Sequence, residues 1–226
     1  MTRPARRGRF ITFEGGEGAG KSTQARRLAK AIADRGLECV VTREPGGTPR
    51  AEALREFILS GAAARFGAAG EALLFGAARI DHLDTLIAPA LARGAWVVCD
   101  RFVDSTRAYQ GAAGKLDPAM IAALERISVG AAMPDLTLIL DLPVEAGMAR
   151  AEARGGAAGG KDRFEREGVD FHKTLRQAFL DIAAAEPGRC VVVDAAKSVD
   201  QVARRVWAAV TRHFGGELPE RAAQNE

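Results

Sequence analysis

Short apolar runs alternate with longer, helically spaced segments along almost the whole chain. Five runs have strand length: Arg9–Glu14, Leu37–Arg43, Ala95–Asp100, Asp135–Asp141 and Cys190–Asp194. Between them, apolar residues recur every three or four positions over about 21–35, 48–60, 70–93, 117–130, 143–154, 164–185 and 197–214, which predicts helices. In the first of these, Ala25, Leu28, Ala29, Ile32 and Ala33 carry the apolar pattern. Asp117, Pro118 and Pro143 suit helix starts. Strands separated by helices need crossover connections, which are right-handed and give a parallel sheet. The predicted fold is therefore α/β: a five-stranded parallel sheet with helices on both faces. At 226 residues, with no visible repeat, the chain fits a single domain over 1–226.

Polar residues gather where these strands end. The first leads into Gly15-Gly16-Glu17-Gly18-Ala19-Gly20-Lys21-Ser22, the second into Arg43-Glu44-Pro45-Gly46-Gly47-Thr48, and the third into Asp100-Arg101. The fourth and fifth end at Asp141 and Asp194. In open parallel sheets, ligands bind beyond the carboxyl ends of the strands, so one edge of the sheet is the expected site.

The first of these segments matches the phosphate-cradling P-loop pattern G-x-x-x-x-G-K-[ST] and lies between a strand and a helix, as that pattern requires. Glycines let successive backbone N–H groups point at phosphate, and the helix N-terminus adds partial positive charge. Lys21 is expected to reach the β- and γ-phosphates of a nucleoside triphosphate, and the Ser22 hydroxyl to ligate magnesium. Asp100, closing a buried apolar strand, is the matching carboxylate for hydrated magnesium. Arg43, on a tight turn, suits a second anion, and Glu44-Pro45 is a candidate cis peptide.

Composition narrows the setting. Apolar residues make up 47%, ample for one core, and uncharged stretches reach only about eight residues, far short of a membrane span. The basic start (Arg3, Arg6, Arg7, Arg9) lacks the apolar stretch of a signal peptide. A net charge of +3 without a basic block predicts no nucleic-acid groove. Arginine outnumbers lysine, which favours bidentate phosphate clamps. Cys39, Cys99 and Cys190 are isolated and read as buried free thiols in a reducing cytoplasm. Residues Arg154–Lys161 are glycine-rich and flanked by Arg150, Arg154, Arg163 and Arg166; no firm helix is expected there. A lid over about 150–166 that closes on phosphate is the functional reading, and a solvated loop the plain one.

Several further segments occur in a telling order: EGGEGAGKST, TREPGGT, EALLFGAARIDHL, the Asp-Arg pair at 100–101, DSTRAYQG, PDLTLILDLP and VVVDA. Together they resemble the thymidylate kinase family, over Phe10 to about Phe214. The resemblance implies a nucleoside monophosphate kinase that phosphorylates dTMP to dTDP with magnesium ATP, and a homodimer formed through helices. It implies ATP contacts at Gly15, Gly16, Glu17, Gly18, Ala19, Gly20, Lys21, Ser22 and Thr23, with Asp194 and Ala195 beside adenine. Glu17 looks like the carboxylate near the acceptor 3′-OH, and Arg43 and Arg101 like clamps on the acceptor phosphate. Phe75 is similar to the ring that stacks on thymine and Arg79 to the donor to its 4-oxo group. Ser105, Thr106 and Gln110 lie in what resembles the segment that reaches the base edge, and Tyr109 resembles the ring that crowds the 2′ position. Some members carry a basic residue where this chain has Gly18; the others, which it resembles, bring that charge from the lid, here at Arg154 or else Arg163.

Plainer alternatives stand beside these roles. Phe75 and Tyr109 could be ordinary core, and Arg79 a surface partner of Asp81 or Asp84. The rival functions are a kinase of another monophosphate or of a nucleoside, a nucleotide-gated switch protein, and a ligase acting on a carboxylate.

Overall fold

The expected strands all form: β1 (Phe10–Glu14), β2 (Cys39–Arg43), β3 (Trp96–Asp100), β4 (Leu136–Asp141) and β5 (Cys190–Asp194). The computed structural model describes residues 7–158 and 163–218, with side chains undescribed at 154–158. All pairings are parallel, in the order β2-β3-β1-β4-β5. The chain leaves β1 for one edge and later crosses back to the other. This puts the loop after β1 at the switch point, where neighbouring connections diverge and open a crevice.

Alternation along the strands feeds two layers. On one face Ile11, Phe13, Val98, Leu138 and Leu140 pack with Leu28 and Ile32 of α1 (Lys21–Ala33) and Val206 and Val210 of α9 (Val199–Phe214). On the other face Phe10, Val97 and Cys99 meet Ile87, Leu91 and Phe102. Ile139 there meets Leu175 and Phe179 of α8 (Val169–Ala185). Each such large side chain contributes about 1.5–3 kcal/mol on full burial. The remaining helices are α2 (Pro49–Leu59), α3 (Gly67–His82), α4 (Ala88–Ala92), α5 (Val103–Thr106), α6 (Pro118–Ser128) and α7 (Val144–Ala158). Asp117 caps α6 by accepting the Ala119 N–H at 2.7 Å, and Thr48 and Ser198 cap α2 and α9.

Three segments depart from expectation. The long helix expected over 70–93 widens into a π-turn at Leu83–Ile87 before α4, with the Ala88 N–H reaching the Leu83 carbonyl. Pro89 lacks an N–H and its ring crowds the carbonyl four residues back; the wider turn relieves both. The expected helix break at Arg154–Lys161 is corrected in its first half, since α7 runs through Gly155 and Gly156 to Ala158. Helix propagation from three upstream turns, with alanines on either side, offsets about 1 kcal/mol per glycine. Residues 159–162 lie outside the described residues. Residues 103–113, not expected to be helical, form α5 and a π-turn at Arg107–Ala113.

Candidate active site

A cavity of about 510 Å³ opens beyond the carboxyl ends of β1 and β3, bounded by the P-loop, α2, α3 and the 103–113 segment. Its P-loop end is made largely of backbone. Gly18 has φ +68°, and a Cβ there would come within 2.1 Å of the Gly147 carbonyl oxygen in α7. In return, a Cβ at Gly147 would come within 2.5 Å of the Glu17 carbonyl oxygen. The P-loop and α7 thus touch backbone to backbone, which gives a steric reason why this chain has no side chain at Gly18. Lys21 is buried, and its Nζ donates to the Gly15 and Gly16 carbonyls at 3.1 and 2.7 Å. Burial, then the nearby Arg101 charge, lower its pKa, against the pull of Glu17, Asp100 and Glu14.

Ser22 Oγ donates to Asp100 Oδ2, joining the start of α1 to the end of β3. Two hard oxygen donors facing the phosphate cradle fit magnesium, which takes one or two protein oxygens and completes its shell with phosphate and water. Among the described residues, no cluster of three or more His, Cys, Asp or Glu competes as a metal centre.

The other end of the cavity is built from charged and aromatic side chains. Arg101 has φ +71°, unusual for a residue with a Cβ, and its N–H donates to the Phe13 carbonyl at 2.9 Å. Its guanidinium pairs with Glu17, lies 4.9 Å from the Tyr109 ring centre, and reaches Ser105 Oγ at 3.3 Å. Burial works against that charge, but Tyr109, Glu17, Asp100 and Glu14 outweigh it and hold the group more firmly protonated than usual. Tyr109 donates to the same Glu17 oxygen at 2.6 Å.

Deeper in, Arg79 is 3% exposed, so it is no surface partner of Asp81 or Asp84. Its Nε donates to Glu44 at 2.8 Å and its Nη2 to Thr106 Oγ1 at 3.0 Å, over the Phe102 ring. Glu44 precedes Pro45 through the expected cis bond and faces His82 at 3.3 Å. Phe75 and Tyr109 both line the cavity, and the Phe164 ring centre sits 6.3 and 5.2 Å from theirs. Gln110 Nε2 reaches Glu71 at 3.4 Å, and Glu71 is also ion-paired with Arg163.

Fourteen of the residues singled out from sequence therefore line one cavity: Glu17, Gly18, Gly20–Thr23, Phe75, Arg79, Asp100, Arg101, Ser105, Thr106, Tyr109 and Gln110. Gly15, Gly16 and Ala19 complete the P-loop backbone behind it. Others fall elsewhere. Arg43 does not line the cavity: it is 55% exposed and pairs with Glu52 at 3.0 Å. The reason is strand alternation, since Thr42 points inward from β2 and Val41 and Arg43 point out. Asp194 lies outside the cavity wall, paired with Arg205 at 2.8 Å, and Ala195 is buried. Arg154 lies in α7, and its side chain is outside the described residues. Sequence reading missed Arg55 and Phe164. Arg55 lines the cavity and donates to the Pro45 carbonyl at 2.7 Å. Its signal was available, since it stands one helical turn after buried Ala51 on α2.

Comparison with known proteins agrees with this geometry. The family described as thymidylate kinase matches residues 13–206. A thymidylate kinase of Rhodopseudomonas palustris (strain BisB18) is 57% identical over 211 residues, covering 93% of this chain and 91% of the relative. One from Nitrobacter winogradskyi is 56% identical over 206 residues, covering 91% and 89%. The crystal structure of thymidylate kinase from Ehrlichia chaffeensis superposes with a TM-score of 0.72 at 32% identity, covering 90% of this chain and 98% of that one. With a parallel sheet, a P-loop at its switch point and a cation-lined cavity beyond it, the chain belongs to the thymidylate kinase family and is a phosphotransferase enzyme.

Proposed function

We propose that this enzyme moves the γ-phosphoryl group of ATP to dTMP, yielding ADP and dTDP. The observation that carries the reading is the one cavity lined both by Lys21 and Ser22 of the P-loop and by Phe75, Arg79 and Gln110. A donor phosphate on the P-loop and a base against Phe75 would bring two phosphates together near Arg101. A phosphate oxygen of dTMP then attacks the γ-phosphorus in line, and the bond to the β-γ bridging oxygen breaks with its electrons left on ADP. The acceptor is already an anion, so no obligatory general base is assigned.

What remains for the protein is positioning and charge. Lys21 cancels charge on the donor, while Arg101 and Arg55 do so on the acceptor. Ser22 and Asp100 would hold magnesium, which when bound neutralises the donor phosphates. Glu17 and Tyr109 share a hydrogen bond, which supports placing the 3′ and 2′ edges of the sugar side by side against them. In Arg79, Nε and Nη2 are already engaged, which leaves Nη1 to donate to a 4-oxo group. A cation arriving with a lid over about 150–166 would come from Arg154 or else from Arg163, which stands beside Glu71. Lid closure excludes water that would otherwise hydrolyse ATP.

The exposed side chains of Leu73 and Ile80 on α3 and Ile127 on α6 support a homodimer formed through these helices. Three free thiols, with Cys39 and Cys190 pushed up to about 12 by burial, are in keeping with a reducing cytoplasm. ADP release, with ATP and each nucleoside monophosphate in turn, tests the reading. dTMP is expected to be the preferred acceptor; a faster reaction with a purine monophosphate would overturn it.

A further inference from the structure

Glu14, the last residue of β1, is fully buried and is not part of the cavity wall. Its Oε1 accepts the Phe102 N–H at 2.7 Å and the Ser105 N–H at 3.2 Å, and its Oε2 accepts the Ser105 hydroxyl at 2.6 Å. These are the N-terminal donors of α5, whose own N-cap residue, Phe102, has no side-chain oxygen to offer. A carboxylate on a neighbouring strand therefore caps this helix from outside it. One residue earlier stands Arg101, in its left-handed conformation, with its N–H on the Phe13 carbonyl. The turn is held from one side by the backbone of β1 and from the other by the Glu14 carboxylate. Ser105 Oγ, while donating to Glu14, accepts from Arg101 Nη1 at 3.3 Å.

We infer that Glu14 is the positioning residue for Arg101. Through the Phe102 and Ser105 amides it fixes the turn, and through the Ser105 hydroxyl it aims the guanidinium into the acceptor end of the cavity. The inference rests on the assignment of Arg101 to the acceptor phosphate. Keeping a carboxylate here is costly: burial, then the Asp104 charge, raise its pKa to about 7, against the hydrogen bonds from Ser105 and the charge of Arg101.

Two variants separate positioning from bulk stability. Glu14→Gln keeps the volume and can still accept the backbone N–H groups, but loses the charge facing Arg101 and an acceptor for the Ser105 hydroxyl. Ser105→Ala cuts the relay and leaves β1 untouched. Both are expected to raise KM for dTMP by about tenfold or more, the effect of losing a hydrogen bond to a charged group. KM for ATP should stay within about twofold, and the double variant should be little worse than the worse single one, because both break one relay. The inference is overturned if folded Glu14→Gln and Ser105→Ala keep the parental KM for dTMP, or if both substrates' KM values rise together. A parent that releases no ADP with dTMP overturns the functional reading and this inference with it. An active parent with unaffected variants overturns this inference alone.

Discussion

The two ends of the cavity are built by different means. At the end proposed for the donor the fit is one of backbone against backbone: Gly18 against Gly147, and Lys21 folded onto the Gly15 and Gly16 carbonyls. At the end proposed for the acceptor it is one of paired charges: Arg79 on Glu44 and Arg101 on Glu17. A triphosphate offers many equivalent oxygens and little shape beyond charge, so a ring of N–H groups and one ammonium suffices to hold it. A nucleoside monophosphate has to be told from its relatives by a few atoms on the base and sugar. That discrimination needs side chains whose direction is enforced, and buried ion pairs enforce direction because breaking one strands a charge.

The comparison breaks most severely if its donor end is emptied. Lys21→Ala should lower kcat by about 10²–10³ while far-UV circular dichroism stays parental, since in the proposed reaction the ammonium cancels charge on the donor phosphate. A folded variant with near-parental turnover would remove the P-loop from the account. Gly147→Ala should follow, although Gly147 lies on α7 and not in the P-loop. The added Cβ must displace the Glu17 carbonyl, 2.5 Å away, and a shift of about 1 Å at a reacting centre can cost 10²-fold. A drop in kcat of about 10–100-fold is expected; unchanged kinetics would mean that the contact is slack.

At the acceptor end, Arg55 and Arg43 sharpen the contrast, because both follow from the same stretch of sequence. Arg55→Ala should raise KM for dTMP by about 10–100-fold, the loss of one charge-assisted contact to phosphate. Arg43→Ala should change it less than about threefold, since an exposed ion pair such as Arg43–Glu52 contributes about 0–1 kcal/mol. Initial rates over a dTMP titration check both, and the reverse ranking would restore Arg43 to the site.

Legibility in the sequence divides along similar lines. Strand ends, the P-loop and Asp100 could be read because each depends on local pattern: alternation, glycine spacing, and a carboxylate closing an apolar run. Phe75 and Arg79 could be placed together because four residues on a helix share a face. What escaped depends on partners far along the chain. The helix at Val103–Thr106 has no cap of its own and borrows Glu14, 88 residues before Phe102, so no local signal marks its start. Arg43 was misplaced because a position just after a strand says nothing about which way the side chain points on the edge strand β2. Phe164 meets both Phe75 and Tyr109 by virtue of the chain's return after α7, which only tertiary structure reveals.

Selection of the base by enforced side-chain direction at the acceptor end is read from the kcat/KM ratio of dTMP to dCMP in the parent and in Arg79→Gln. Glutamine is chosen because truncation to alanine would leave Glu44 buried without its partner. Its amide can donate to a 4-oxo group or, turned over, accept from a 4-amino group. The parent is expected to favour dTMP by about 5- to 150-fold, from a buried mismatch of about 1–3 kcal/mol, and Arg79→Gln to bring the ratio close to one. A ratio near one in the parent, or a parental preference that survives in the variant, would mean that Arg79 does not select the base.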